Sequence, residues 1–325
     1  MHSDKGNDVP PPFAWDEWYR GIGGRTISIP EVTAYFRRIF DEQLPRFEGE
    51  PTPKQRSFAT PEEAAGALKE RARAAGADIV GICELTAAEI YRGRTVTGRF
   101  AVAVGMRMRY REFQTVPSRE SAVEQVRVYF ELGRLCVELA EFIRGLGYHA
   151  KVQAPVGDSD VLHVPIALKA GLGELGRHGS IINPELGPLL RLGTVTTTLG
   201  AACDAPIDAG IAEFCDHCRA CRKFCPADAV PDERDPEAGK DHLGLDRYVI
   251  DTGRCFPYFA RHYYCAACLP VCAYNHKEWA RDFEGFKTRI FPEVIMAEPP
   301  PPIDGIPEAQ RHRYPRRKRG VQDKR

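Results

Sequence analysis

Cys215-Asp216-His217-Cys218-Arg219-Ala220-Cys221-Arg222-Lys223-Phe224-Cys225-Pro226 is the stretch on which the reading of this chain turns. Its spacing is Cys-x2-Cys-x2-Cys-x3-Cys-Pro. Three cysteines on so tight a loop grip one [4Fe–4S] cubane, and the fourth reaches across to a second. A second group follows, Cys255 and then Cys265-x2-Cys268-x3-Cys272. The crossing rule assigns Cys215, Cys218, Cys221 and Cys272 to one cluster and Cys225, Cys255, Cys265 and Cys268 to the other. Cys-x2-Cys pairs also hold tetrahedral zinc. Repeated cysteine spacings closed by Cys-Pro favour two [4Fe–4S] clusters over zinc.

Eight of the chain's eleven cysteines fall in this set, so the pattern is a ligand set and not a disulfide framework. Cys83, Cys136 and Cys203 lie outside it and are expected to be plain buried thiols.

Working outward, Thr60-Pro61-Glu62-Glu63 is a helix start, with Thr as N-cap, Pro at the first helical position and Glu three residues after the cap. That helix is expected to run to about Ala75 and stop at Gly76. Asp78–Cys83 and Phe100–Met106 read as strands. A long amphipathic helix is predicted from about Ser121 to Arg144, because Val126, Tyr129, Phe130, Gly133, Val137, Ala140 and Ile143 recur at helical spacing. Tyr148–Val152 reads as a third strand and 155–200 as glycine-rich loops. The order strand, helix, strand favours an α/β body with a helix-covered sheet.

The expected organisation is therefore an extended, irregular arm over 1–58 and an α/β (α+β) core over 59–205. A double-cluster, bacterial-ferredoxin-like module over 206–280 and a closing segment with a basic tail over 281–325 complete it. The 325 residues are 43% hydrophobic, enough for a sizeable core, and Lys plus Arg equals Asp plus Glu at 45 each. That balance points to no polyanionic partner, and nucleic acid is not expected as one. Apolar runs such as Ala101–Met106 fall far short of the ~20 residues of a membrane span. The first twenty residues carry neither an apolar leader core nor a twin-arginine pattern, so a cytoplasmic protein without a membrane partner is expected.

Gly171-Leu172-Gly173-Glu174-Leu175-Gly176 matches the dinucleotide fingerprint G-x-G-x-x-G. The context of that fingerprint is missing, because no clear strand leads in and no isolated acid follows ~20 residues on. The same glycines equally suit a backbone that approaches a large flat cofactor.

From about Thr60 to Trp279 the chain resembles the cobalamin-dependent reductive dehalogenases, relatives of the epoxyqueuosine reductases. The resemblance is carried by Ala140-Glu141-Phe142-Ile143-Arg144-Gly145-Leu146-Gly147-Tyr148-His149-Ala150 and by Ala170 followed by the glycine motif and Arg177. Pro184-Glu185-Leu186-Gly187, Arg191-Leu192-Gly193-Thr194-Val195-Thr196-Thr197 and the cysteine module complete it in family order. The resemblance implies a base-off cobalamin between the body and the cluster module, with Gly171, Gly173, Gly176, Thr196 and Thr197 as cofactor-binding candidates. It implies that an external ferredoxin or flavodoxin feeds the clusters and that a small organohalide is reduced. It also implies that Tyr129 gives the proton while Arg191 holds negative charge.

Asp158, in Val156-Gly157-Asp158-Ser159-Asp160, falls where the epoxyqueuosine reductases carry an acid, and equally reads as a turn residue. Two other functions stay open: C–O reduction with Asp158 as acid, and an electron carrier that binds no corrinoid. His163 and His178 read as loop histidines.

Overall fold

The structure is a computed structural model that describes residues 29–155 and 159–275. Asp158, the first part of the arm and the basic tail lie outside the described residues.

Helix α1 (Pro30–Arg38) continues through a π turn, Ile39–Gln43, and a 3₁₀ turn, Leu44–Arg46. The expectation of irregular structure through residue 58 is therefore wrong for this part. Val32 and Ile29 pack on Ala122 and Val126 of the long helix and on Tyr264, which is how so short a helix stays ordered.

Helix α2 (Pro61–Ala74) begins as its sequence dictates. The Thr60 side chain accepts from Glu63 N, and the Glu63 carboxylate reaches back to Ala59 N at 2.8 Å. Strands β1 (Ile79–Glu84) and β2 (Phe100–Arg107) follow, then helix α3 (Arg119–Gly145), capped by Ser118. Strand β3 (Ala150–Gln153) comes next, then helix α4 (His163–Lys169) and a hairpin of two short strands, β4 (Glu174–Leu175) with β5 (Ile181–Ile182).

Strand β6 (Leu190–Thr197) overturns the loop expected over 155–200. It lies between β2 and β3 in a sheet of order β1-β2-β6-β3, and every pairing is antiparallel. The body is thus α+β. A charged residue and a glycine in Arg191-Leu192-Gly193 disguise the strand. Gly193 is required because a Cβ there would stand 2.7 Å from Cys136 Sγ and 3.2 Å from Leu132 Cγ. Its absence lets α3 lie close on the sheet.

The main core lies between that face and the helices α2 and α3, where Leu68, Leu132, Leu135, Leu139, Ile143 and Val195 are fully buried. Each such side chain contributes roughly 1.5–3 kcal/mol of burial. The opposite face is covered by α4, through Ile166, Ala167 and Leu168 against Cys83, Ala101 and Ala103.

The cysteine module follows as α5 (Ile211–Cys218), α6 (Ala220–Lys223), the hairpin β7 (Asp235–Lys240) with β8 (Asp246–Arg247), and α7 (Thr252–Arg261). Among the described residues, no helix is long and apolar enough to cross a membrane.

Candidate functional site

Two sites lie on the described residues. The first is built by the cysteines. Cys215 and Cys218 close α5, and Arg219, in the left-handed region at φ 52°, breaks the chain so that α6 can present Cys221. Cys215, Cys218 and Cys221 line one cavity together with Cys272, which arrives from the far end of the module. Burial is the largest influence on these thiols. It pushes Cys215 up to about 11, and Cys221 and Cys272 rise further. Cys221 and Cys225 belong to a second cluster of packed residues, with Cys255 and Cys268 against it, so the two cysteine sets adjoin there. After burial, the thiols that act most on Cys268 are Cys255 and Cys225.

The glycine hairpin docks this module onto the body. Its turn, Gly176 to Ser180, is closed by Gly176 N to Ser180 O at 2.9 Å and Gly179 N to Gly176 O at 2.9 Å. Arg177, 1% exposed, donates from Nε and Nη2 to Cys215 O at 3.0 and 2.6 Å and from Nη1 to Pro231 O and Asp232 O at 3.1 and 2.5 Å. Its guanidinium also lies 4.1 Å from the Tyr248 ring centroid. Glu174, fully buried, accepts from Ala209 N and from Ala212 N at the start of α5, where the amide groups favour a negative charge.

His178, 7% exposed, lines the same cavity as the four cysteines. Burial lowers its pKa to about 4. Its Nδ1 accepts from Ser180 N at 3.2 Å, and its Nε2 has no hydrogen-bond partner among the described residues. The sequence offered Arg177 only as part of a resemblance and His178 only as a loop residue. Their position one after the other at the tip of a glycine turn was the available signal.

The second site joins α3 to β6. Gln125 and Tyr129 are four residues apart and share a face of α3. Arg191 reaches them from β6. Its guanidinium lies 4.8 Å from the Tyr129 ring centroid, and Nη2 donates to Gln125 Oε1. Gln125, almost wholly buried, donates in turn to Tyr264 O at 2.8 Å, one residue before Cys265. Arg191 forms no ion pair among the described residues, and its buried Nε has no hydrogen-bond partner there. The half-buried Tyr129 makes no hydrogen bond there through its hydroxyl. The structure thus brings together the two residues expected to act on substrate, and adds Gln125, a polar residue on a largely apolar stripe.

The five residues expected at the cofactor lie against other parts of the chain. A Cβ on Gly171 or Gly173 would stand 2.5 Å from Ala205 O or Ile182 O, and one on Gly176 would stand 2.7 Å from Ile182 Cδ1 and 3.0 Å from His178 Cε1. These glycines admit the protein's own chain. Thr196 and Thr197 are fully buried. Their hydroxyls are taken by Gln153 Nε2 at 3.2 Å and by His149 O at 2.8 Å.

His163 opens α4 and does not sit in a loop. Its ring bonds Thr194 Oγ1 at 2.9 Å and Ala154 O at 3.0 Å. Cys83 and Cys136 are buried as expected, whereas Cys203 is exposed.

No family model matches the chain. It is similar to the reductive dehalogenases and to the epoxyqueuosine reductases. It is 35% identical over 190 residues to the tetrachloroethene reductive dehalogenase of Dehalobacter restrictus, a match that covers 56% of this chain and 34% of that protein. With the enzyme of the same name from Sulfurospirillum multivorans the identity is 31% over 187 residues, covering 56% and 36%. The epoxyqueuosine reductase of Lactococcus garvieae is 30% identical over 181 residues, covering 53% and 45%. Among solved structures, the catabolic reductive dehalogenase NpRdhA in complex with 3-bromo-4-hydroxybenzoic acid matches with a TM-score of 0.66 at 26% identity, covering 74% of this chain and 36% of that one. The chain spans about a third of the length of the dehalogenases it matches.

Proposed function

We propose that this chain is an iron–sulfur reductase of the reductive dehalogenase type, which replaces a halogen on an organic substrate by hydrogen. The observation that supports it most is the pair formed by Tyr129 and Arg191, a phenol with its hydroxyl unengaged beside a cation with no carboxylate partner among the described residues. Replacing carbon–halogen by carbon–hydrogen needs two electrons and one proton and releases halide. Tyr129 gives the proton, and Arg191 holds the negative charge of the departing halide or of a phenolate substrate. Gln125 fixes Arg191 over the ring and ties both to the segment that carries Cys265.

The donor set fits two [4Fe–4S] clusters. Cys215, Cys218, Cys221 and Cys272 hold one and Cys225, Cys255, Cys265 and Cys268 the other, fed by an external ferredoxin or flavodoxin. The corrinoid part of the proposal rests on the resemblance, and the buried Arg191 Nε, without a hydrogen-bond partner among the described residues, is a donor left for an electron-rich group. Gly171, Gly173, Gly176, Thr196 and Thr197 are the cofactor-binding candidates; the two Thr hydroxyls are engaged within the protein, so the contribution proposed for the glycines is through their backbone. A corrinoid near Tyr129 and Arg191 would supply low-valent cobalt as the reductant for carbon–halogen cleavage.

The test is bromide release from 3-bromo-4-hydroxybenzoic acid by the reconstituted protein under a reduced flavodoxin or ferredoxin. The expected result is release by the wild type and a fall of roughly 10²–10⁴-fold in Tyr129→Phe. Release that survives Tyr129→Phe contradicts the proton-donor role. Failure across a panel of halogenated phenols contradicts the reaction class.

A further inference from the structure

The glycine turn that docks the cysteine module carries a buried histidine that neither the proton donor nor the charge-holding pair uses. His178 is held by three features. The missing Cβ of Gly176 leaves room for its ring, whose Cε1 would lie 3.0 Å from such an atom. Arg177 anchors the neighbouring backbone to Cys215 O. Ser180 N donates to its Nδ1 at 3.2 Å.

That last bond decides the tautomer. A ring nitrogen that accepts a backbone N–H carries no proton, so in the neutral ring the proton sits on Nε2. Nε2 is buried and unpartnered among the described residues, and His178 lines the cavity bounded by Cys215, Cys218, Cys221 and Cys272. A buried N–H donor without an acceptor is costly. Four cysteine ligands already complete a cubane, so the imidazole is not needed as a fifth.

We infer that His178 is a positioning residue that donates its Nε2–H to a sulfur of the cluster held by Cys215, Cys218, Cys221 and Cys272, and thereby raises that cluster's reduction potential. This inference rests on the reading of the cavity as a cluster site. Reduction adds one negative charge to the cluster, and a hydrogen-bond donor aimed at its sulfur stabilises the reduced form more than the oxidised one. Arg177 reinforces the effect as a buried cation on the same ligand loop, but its donors are fully used by carbonyl oxygens. His178 is the group with a donor to give. The third glycine of the apparent dinucleotide fingerprint then has its reason here, in the space it leaves for this ring.

The experiment is a potentiometric titration followed by electron paramagnetic resonance, on wild type, His178→Leu and His178→Gln, each reconstituted with iron and sulfide and assayed for iron. With about eight irons per chain in all three, His178→Leu is expected to lower the potential of one cluster only. At a fixed potential its reduced-to-oxidised ratio falls roughly tenfold, equivalent to 59 mV for one electron. His178→Gln, which keeps an N–H donor, is expected to recover part of the shift.

Two unchanged potentials in His178→Leu overturn the inference, as does an equal fall in both clusters. If that variant fails to load iron, the wild type labelled with ¹⁵N in the histidine rings decides. A ring-nitrogen coupling to the reduced cluster, lost in His178→Gln, supports the inference, and its absence overturns it. A wild-type protein that takes up no iron overturns the cluster reading itself, and the inference with it.

Discussion

The sheet body and the cysteine module are held together by different physics. Between the sheet and the helices α2 and α3 lies a continuous apolar core of leucine, isoleucine, valine and alanine. The module's buried clusters are small, and cysteines make up half of one of them, Cys221 and Cys225 beside Ala229 and Val230. Polar stitching takes the place of a core: Asp228 bridges Arg222 and Arg254, Asp216 bonds Arg234 and Tyr248, and Arg177 gathers four carbonyl oxygens. Such networks hold a backbone in one arrangement but bury little apolar area. The body is therefore expected to fold on packing alone, and the module to depend on what its eight cysteines bind.

The largest expected effect follows from that contrast. Cys272→Ser is expected to reduce iron from about eight to about four per chain. It should also expose the 206–275 region to limited proteolysis while the helical circular dichroism of the body persists. Cys203→Ser, outside the ligand set and on the surface, is the control and should keep all the iron. Loss of iron from the control, or full iron in Cys272→Ser, breaks the assignment.

Next in size is a change at the junction of the two regions. Gln125→Leu removes the acceptor that holds Arg191 and the donor to Tyr264 O, leaving buried polar groups unsatisfied at about 1–3 kcal/mol each. Turnover should fall while iron content stays at about eight. Turnover and iron falling together would mean that Gln125 serves the module and not the reacting pair.

Within the body, Leu139→Ala at a fully buried position is expected to cost about 2–5 kcal/mol in chemical denaturation of the apoprotein. The same loss should leave cluster potentials in the folded protein unmoved. Smallest is the cap: Thr60→Ala removes the bond to Glu63 N and should cost about 1 kcal/mol, with Thr60→Ser restoring most of it.

The same division explains what could be read in the sequence. Helices α2 and α3 and strands β1 to β3 announce themselves by caps and by spacing, because each is a local pattern that packing then rewards. Strand β6 does not, because its glycine at 193 answers to Cys136 and Leu132 on a helix far away in sequence, and its Arg191 turns toward α3. Helix α1 is hidden for a related reason, since contacts with α3 and Tyr264 order a segment rich in charge.

In the sites, spacing singled out the cysteines, and resemblance singled out Tyr129 and Arg191, which the structure brings side by side. The glycines also answer to neighbours within the chain. Read as space for a flat cofactor, they give space to Ala205, to Ile182 and to the His178 ring. A glycine pattern says that something comes close, but only three dimensions say what.

The central claim is that the module holds two cubanes and serves a corrinoid reduction at Tyr129 and Arg191. Anaerobic reconstitution with iron, sulfide and hydroxocobalamin, followed by metal analysis and electron paramagnetic resonance, tests it most directly. About eight irons and one cobalt per chain, with a base-off Co(II) signal, is the predicted result. About eight irons without cobalt would contradict the corrinoid reduction and leave an electron carrier, and one or two tightly bound zinc ions in place of iron would contradict the cubanes as well.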